Sequence, residues 1–293
     1  MKKLNLLALG LCMAALFSCG KDDSEPTPNP DIPGGGSQTE MVKIGAIWEE
    51  SAEYREESTD GGNSWHVVNT TDYDKYKKEA WVWDGDRLSS VTICEGPGYG
   101  SFTCDFMYNE NGKISKLIEG GEKYEVKYDG NRISRIDLFY DGESDGYLYV
   151  TYSNDKITKM EGKADYKGDQ ENILMEFVWS GDNLTKFVLS EDGDVDWISR
   201  FQSYDNGNNP HYRQDYTLLN LLCWGLEDRT FILSANNCTS VDFDEGPITY
   251  EYSYNSKNYP TKAIRTHTGL PYNYGGVMHR TKRVTTYTYE YVE

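Results

Sequence analysis

The chain has 293 residues, of which 38% are hydrophobic and 14% aromatic, with 24 tyrosines and a formal charge of −19. That charge repels phosphate backbones and anionic membrane surfaces, which excludes nucleic acid as a partner. The length supports one large β domain or two smaller ones, with ample core in either case.

Residues 1–18 read as a secretory signal: Lys2 and Lys3 precede an apolar run shorter than the roughly 20 residues a bilayer crossing needs. The run closes in Leu16-Phe17-Ser18-Cys19, which resembles a bacterial lipobox, so Cys19 is the expected lipidation site and the link to the outer membrane. Two or more acyl chains make such an anchor stable. Residues 19–40 are rich in Pro, Gly and acid and have almost nothing apolar to bury, so they should form a flexible tether. Lys21-Asp22-Asp23 resembles the acidic export signal of Bacteroidota surface lipoproteins, which implies a chain facing the cell exterior. Loss of residues 1–18 removes two lysines and leaves a mature charge of −21.

The folded part is expected over residues 41–293, with residues 41–75 either its first strands or a small separate N-terminal unit. Cys94 and Cys104 flank the turn EGPGYGS, which makes a cross-strand disulfide between them geometrically reasonable. Cys238 either meets Cys223 or stays a buried thiol.

A unit then recurs: AWVWDGDRLSSV (80–91), DFMYNENGKISKL (105–117), EVKYDGNRISRI (125–136), YVTYSNDKITKM (149–160), EFVWSGDNLTKF (176–187) and, more loosely, EYSYNSKNYPTKA (251–263). Each is an alternating strand ending in Tyr or Trp, a turn, a basic or polar residue, an aliphatic, Ser or Thr, and an apolar closer. The turn residues enter φ > 0 cheaply, so each unit predicts a hairpin. The anchors Trp83, Tyr108, Tyr128, Tyr152 and Trp179 recur every 20 to 27 residues, two strands and two turns apart. One hairpin cannot bury its own apolar face, but neighbours in an antiparallel meander share one. Alternation fails just after the turn of the third unit, where a bulge or a strand buried on both sides would account for it.

The regular spacing lapses between Phe187 and Tyr252. There Tyr216 to Trp224 is too apolar and too poor in β-branched residues for a routine strand, and a short helix near 215–224, stopped by Gly225, is expected to cap the sheet. The final TKRVTTYTYEYVE places Tyr287, Tyr289 and Tyr291 on one face of a strand pairing late in the meander. The expected fold is therefore all-β: repeated antiparallel hairpins forming a large curved or partly rolled sheet with one short helix.

Lipobox, acidic tether and the tyrosine-aspartate-glycine hairpins together resemble an uncharacterised family of Bacteroidota surface lipoproteins, whose domain of unknown function is similar to the tyrosine-aspartate repeats of Rhs-type proteins. The resemblance spans roughly Lys77 to Glu293 and rests on the anchors above, on Asp84-Gly85, Asn111-Gly112, Asp129-Gly130 and Ser180-Gly181, and on Asn258-Tyr259-Pro260-Thr261-Lys262. It implies a fold and no activity.

No catalytic constellation stands out. His66, His211, His267 and His279 form no HExxH spacing, and neither a nucleophile elbow nor a phosphate-binding loop occurs, so the expectation is no enzyme; a glycoside-processing pair of carboxylates is the remote alternative. No cofactor is expected. Asp192, Asp194 and Asp196 could converge on Ca²⁺ if their loop curls, or simply form a solvated hairpin tip. The leading functional reading is a binding module for glycan or a surface protein, with a structural component of an outer-membrane assembly as the alternative. Trp65, Trp81, Tyr99, Tyr147, Trp197 and Tyr212 lie outside or beside the anchor pattern and are the candidate ligand-binding aromatics.

Overall fold

A computed structural model describes residues 42–292 apart from 167–168, 213–215, 225–229 and 244–245. Cys19, the signal and the tether lie outside the described residues, as do the side chains of Cys223 and Trp224. The strands are β1 (Lys43–Ser58), β2 (His66–Asp84), β3 (Arg87–Cys94), β4 (Ser101–Tyr108), β5 (Ile114–Glu119), β6 (Glu122–Asp129), β7 (Arg132–Tyr140), β8 (Glu143–Ser153) and β9 (Lys156–Tyr166). They continue as β10 (Asp169–Ser180), β11 (Asn183–Glu191), β12 (Asp194–Asn208), β13 (Asn236–Asp242), β14 (Ile248–Tyr254), β15 (Pro260–Thr268), β16 (Tyr272–Tyr274) and β17 (Val277–Val292). Between β12 and β13 lie a helix α1 (Thr217–Trp224) and a 3₁₀ turn (Thr230–Leu233).

The sheet is closed, which corrects the expected open, curved or partly rolled sheet. Strands β1 to β15 pair with their chain neighbours, and β17 pairs with β1 from Lys43↔Val292 to Ser58↔Met278. On its other edge β17 carries β15 and β16 end to end, so the ring is a 16-strand antiparallel barrel. The tyrosine-rich last strand does not end the meander but seals it, and sealing removes the two edges an open sheet would expose. Residues 43–84 supply the first two staves, so 41–75 is not a separate unit.

Sixteen strands are eight hairpins, and each copy of the sequence unit has a mechanical part to play. The anchor aromatic on the second strand of one pair donates its polar hydrogen to a main-chain carbonyl of the strand before it. Trp83 Nε1 bonds to Ile44 O at 2.7 Å, Tyr108 Oη to Leu88 O at 2.9 Å, Tyr128 Oη to Ile114 O at 2.9 Å and Trp179 Nε1 to Ile157 O at 2.7 Å. Tyr204 reaches Leu184 in the same way, and Tyr152 is hydrogen-bonded to the Ile133 main chain. Tyr252 bonds to Cys238 O at 2.9 Å and Tyr291 to Pro260 O at 2.7 Å, extending the series around the ring into the region where the sequence spacing lapsed. Burial pushes the phenols of Tyr152, Tyr204, Tyr252 and Tyr291 upward, so all four stay protonated.

The broken alternation is a bulge. Register shifts fall at the anchors Trp83, Tyr108, Tyr128, Tyr152 and Trp179, and on β14 at Tyr254, two residues after Tyr252. The Ser or Thr of the unit stitches across it: Ser134 Oγ donates to Lys127 O at 3.3 Å and Thr185 Oγ1 to Val178 O at 3.1 Å. The basic residue after the turn lies over the next anchor ring, as Lys113 does over Tyr128 (4.9 Å) and Arg132 over Tyr152 (5.4 Å). Motif residues that looked decorative thus tie each hairpin to its successor.

The inward faces carry Leu88, Leu117, Ile136, Leu148, Met160, Met175 and Phe187, all fully buried. Eight strands enclose a space that side chains just fill, whereas barrels of about 16 to 18 strands leave a channel. Here the β12–β13 insert occupies that space: Tyr216, Leu218, Leu219, Leu222 and Ile232 share one core cluster with the wall. Outward positions on β6, β7 and β9 carry charged pairs such as Lys127–Asp137 (2.5 Å), Lys123–Glu125 (3.0 Å) and Lys159–Glu161 (2.7 Å), and those on β3 and β4 include the hydrogen-bonded hydroxyls of Thr92 and Thr103. A lipid-facing wall needs an outward apolar band about 25 Å tall, and each Arg or Lys at its middle costs about 2–4 kcal/mol. This barrel has the opposite polarity, apolar within and charged without.

Strands β1, β2 and β17 run on past the wall as a tongue. Strand β3 pairs with β2 only from Glu79 to Asp84, and β2 is solvent-exposed from His66 to Lys75. Lys43 Nζ bonds to Gly85 O at 3.0 Å, so both chain ends of the barrel sit at the rim of the repeat turns, opposite the tongue.

Candidate functional site

A cavity of about 110 Å³ lies between the insert and the wall made by β1, β2, β14, β15 and β17. The insert is pinned there by Asn209, whose Nδ2 donates to Ile232 O (3.0 Å) and Ser234 O (2.9 Å) while its Oδ1 accepts from His211 N (3.0 Å). That turn presents Pro210 and His211 to the cavity. His211 packs against Trp81 with ring centres 5.6 Å apart, and Trp81 Nε1 donates to the buried Glu79 carboxylate at 3.1 Å. On the far side Tyr250 and Tyr252 stack at 6.1 Å and 15°, and Tyr287, Tyr289 and Arg265 complete the lining. Tyrosine walls with an acid, a guanidinium and an imidazole can stack on a ring and both accept and donate hydrogen bonds.

The same face continues outward along the tongue. In antiparallel register, residues directly opposite share a face. From the cavity outward the rows run Ile47↔Tyr289, Glu49↔Tyr287, Ser51↔Thr285, Glu53↔Arg283, Arg55↔Thr281 and Glu57↔His279. Strand β15 adds Arg265 opposite Thr285 and His267 opposite Arg283; β16 adds Tyr272 opposite His279 and Tyr274 opposite Val277. Tyr272 stacks on His279 at 5.5 Å, and Tyr272 and Tyr274 are 55% and 77% exposed. Strand β2 contributes Tyr73, under the Arg283 guanidinium at 5.5 Å, and Tyr76, whose phenol is pushed up by burial and by the Glu49 carboxylate it bonds. Four glutamates and three arginines alternate along this track, a near balance of charge in a strongly acidic chain.

The sequence-derived candidates do not gather at one place. Trp65 lies at the tongue tip beneath Arg280, 4.1 Å from its ring centre. Trp81 is core, 5% exposed, and serves the cavity only through His211 and Glu79. Tyr99 is exposed on the β3–β4 loop; Tyr147 stands on the outer wall against Tyr149 and Arg135; Trp197 packs on Phe243 and donates to Ser199 Oγ at 2.8 Å. Tyr212 is half-buried in the insert, its N–H on Asn209 O. Glu79, His211, Arg265, Tyr272 and Tyr274 had no local signal beyond the alternate tyrosines of β14 and β17.

Two side-chain groupings are corrected. Asp192, Asp194 and Asp196 do not converge: Asp192 Oδ1 accepts from Asn172 N (2.9 Å) and Nδ2 (2.8 Å), while Asp194 and Asp196, the latter at a β12 bulge, are exposed to solvent. Among the described residues no group of three His, Cys, Asp or Glu forms a metal cage. Burial and the neighbouring acids, chiefly Asp196, push Glu191 up to about 7. Cys94 and Cys104 form no disulfide: Cys94 pairs opposite Ser101 and Cys104 opposite the inward Val91, so the two cysteines face opposite sides of the wall. Cys238 is a buried free thiol raised to about 12 by burial.

No family model and no curated protein matches the sequence. Among solved structures the chain is similar to a porin-like protein from Bacteroides uniformis ATCC 8492, at 13% identity and a TM-score of 0.47 over 85% of this chain and 98% of that one. It is also similar to a porin-like protein from Bacteroides vulgatus ATCC 8482, at 14% identity and a TM-score of 0.31 over 86% and 99% of the two chains.

Proposed function

We propose that the chain is a lipid-anchored, water-soluble barrel at the outer membrane, facing outward, that binds an uncharged glycan chain end-on. The tongue face supports the outer part of the chain and the cavity receives its end. The observation that carries this reading is the unbroken face from Tyr274 to Tyr289, where aromatic rings alternate with balanced acids and bases. Sugar hydroxyls both donate and accept, and a face of near-zero net charge favours them over phosphate or carboxylate polymers. In this proposal the lipid on Cys19 joins the barrel through Lys43, at the repeat rim, which leaves the tongue farthest from the membrane.

The test uses the chain without residues 1–18 and with Cys19→Ala, on a glycan array and then by calorimetry with neutral oligosaccharides of increasing length. Affinity should rise with length, and Tyr272→Ala and Tyr274→Ala should each remove roughly three- to tenfold of that rise while leaving monosaccharide binding unchanged. Absence of any glycan signal, or length dependence that survives both substitutions, would contradict it.

A further inference from the structure

The barrel leaves one long edge open. From His66 to Lys78, β2 pairs with β1 on one side and with no described strand on the other, because the β2–β3 pairing reaches only as far as Glu79. Such an edge presents a row of main-chain donors and acceptors, and side chains decide what can pair there. This edge carries Asp72-Tyr73-Asp74-Lys75-Tyr76-Lys77, a sequence that matches itself in charge when read in the opposite direction.

We infer that this edge pairs with the same edge of a second copy, antiparallel about the Asp74–Lys75 bond, joining two barrels through one continuous sheet. A two-fold contact sets residue i against j and j against i. Here it sets Asp72 against Lys77, Tyr73 against Tyr76 and Asp74 against Lys75, each twice. In a regular strand residues five apart point to opposite faces, and this register could not form. The β2 bulge removes that obstacle. Asp72 stands opposite Ala52 and Lys77 opposite Trp48, both on the outer face, while Tyr73 stands opposite Ser51 and Tyr76 opposite Glu49, both on the inner face. The bulge therefore aligns acid with base on one side and ring with ring on the other. Opposite charges and aromatic pairs are the favourable cross-strand combinations. The six-residue ladder ends before Glu79, and the extra twist at a bulge turns each tongue aside from its partner's β3. Since the paired strands are antiparallel, the two repeat rims lie at opposite ends of the dimer, so anchored chains would pair between two facing membranes and not side by side on one.

Sedimentation velocity over a concentration series, on the chain lacking residues 1–18 with Cys19→Ala, reads the association directly. The parent should reach twice the monomer mass. Lys75→Glu with Lys77→Glu, and separately Asp72→Lys with Asp74→Lys, should each weaken dimerisation at least about tenfold through four like-charge contacts. Mixing the two variants should restore a dimer of mixed composition, which also establishes that both are folded. A parent that stays monomeric throughout, reversals that leave the dimer intact, or a mixture that fails to associate each overturns the inference.

Discussion

Leu117→Asp is expected to destabilise the barrel by about 4–5 kcal/mol, enough to unfold most of it near physiological temperature. Leu117 is fully buried on the inward face of β5, opposite Tyr124, and an aspartate there would lose its hydration with no cation beside it. The adjacent Lys116 points outward, 3.4 Å from Glu125, and its replacement by leucine should change stability by less than about 1 kcal/mol. Urea unfolding followed by circular dichroism compares the two. A wall built for lipid would give the reverse order, tolerating the outward leucine and filling its lumen with polar groups.

The second large effect concerns the anchors. Trp179→Ala should cost about 3 kcal/mol, because it removes the ring that packs on the core, the Nε1 bond to Ile157 O and the partner of the Lys156 ammonium at 5.9 Å. Trp179→Phe keeps most of the packing and leaves the carbonyl unpaired, for a loss of about 1 kcal/mol. For a domain of this size, each kcal/mol shifts the thermal midpoint by about 2–4 °C. Tyr128→Phe should repeat the smaller loss, and the two should add, since the anchors sit on separate hairpins. Equal midpoints for Trp179→Phe and the parent would show that the bond to the preceding strand contributes nothing.

These anchors are also where the sequence was most legible. A ring before an Asp-Gly or Ser-Gly turn, followed by a base, an aliphatic and a hydroxyl, is a local pattern, and every member has a partner within the next hairpin. Closure is not local. Strand β1 meets β17 across nearly the whole chain, and nothing in IGAIWEESAEY announces that its partner is TTYTYEYV. The open-sheet reading failed for that reason. The site was hard to read for a related one: Glu79, His211 and Arg265 come from β2, the insert and β15, and only closure brings them to one cavity. Trp81 departs from the anchor position yet is core, because it stands two residues before Trp83 on the same strand and so faces inward with it and with Glu79. Cys94 and Cys104 flank one turn, but their register offset puts them on opposite faces, which spacing alone does not reveal.

The most direct test of the inside-apolar, outside-charged barrel is phase partitioning of the chain lacking residues 1–18 and carrying Cys19→Ala, expressed without lipid and extracted without detergent. A folded β protein should stay in the aqueous phase of a detergent cloud-point separation. Recovery of folded protein only in the detergent phase would contradict it and make the wall a membrane-spanning one.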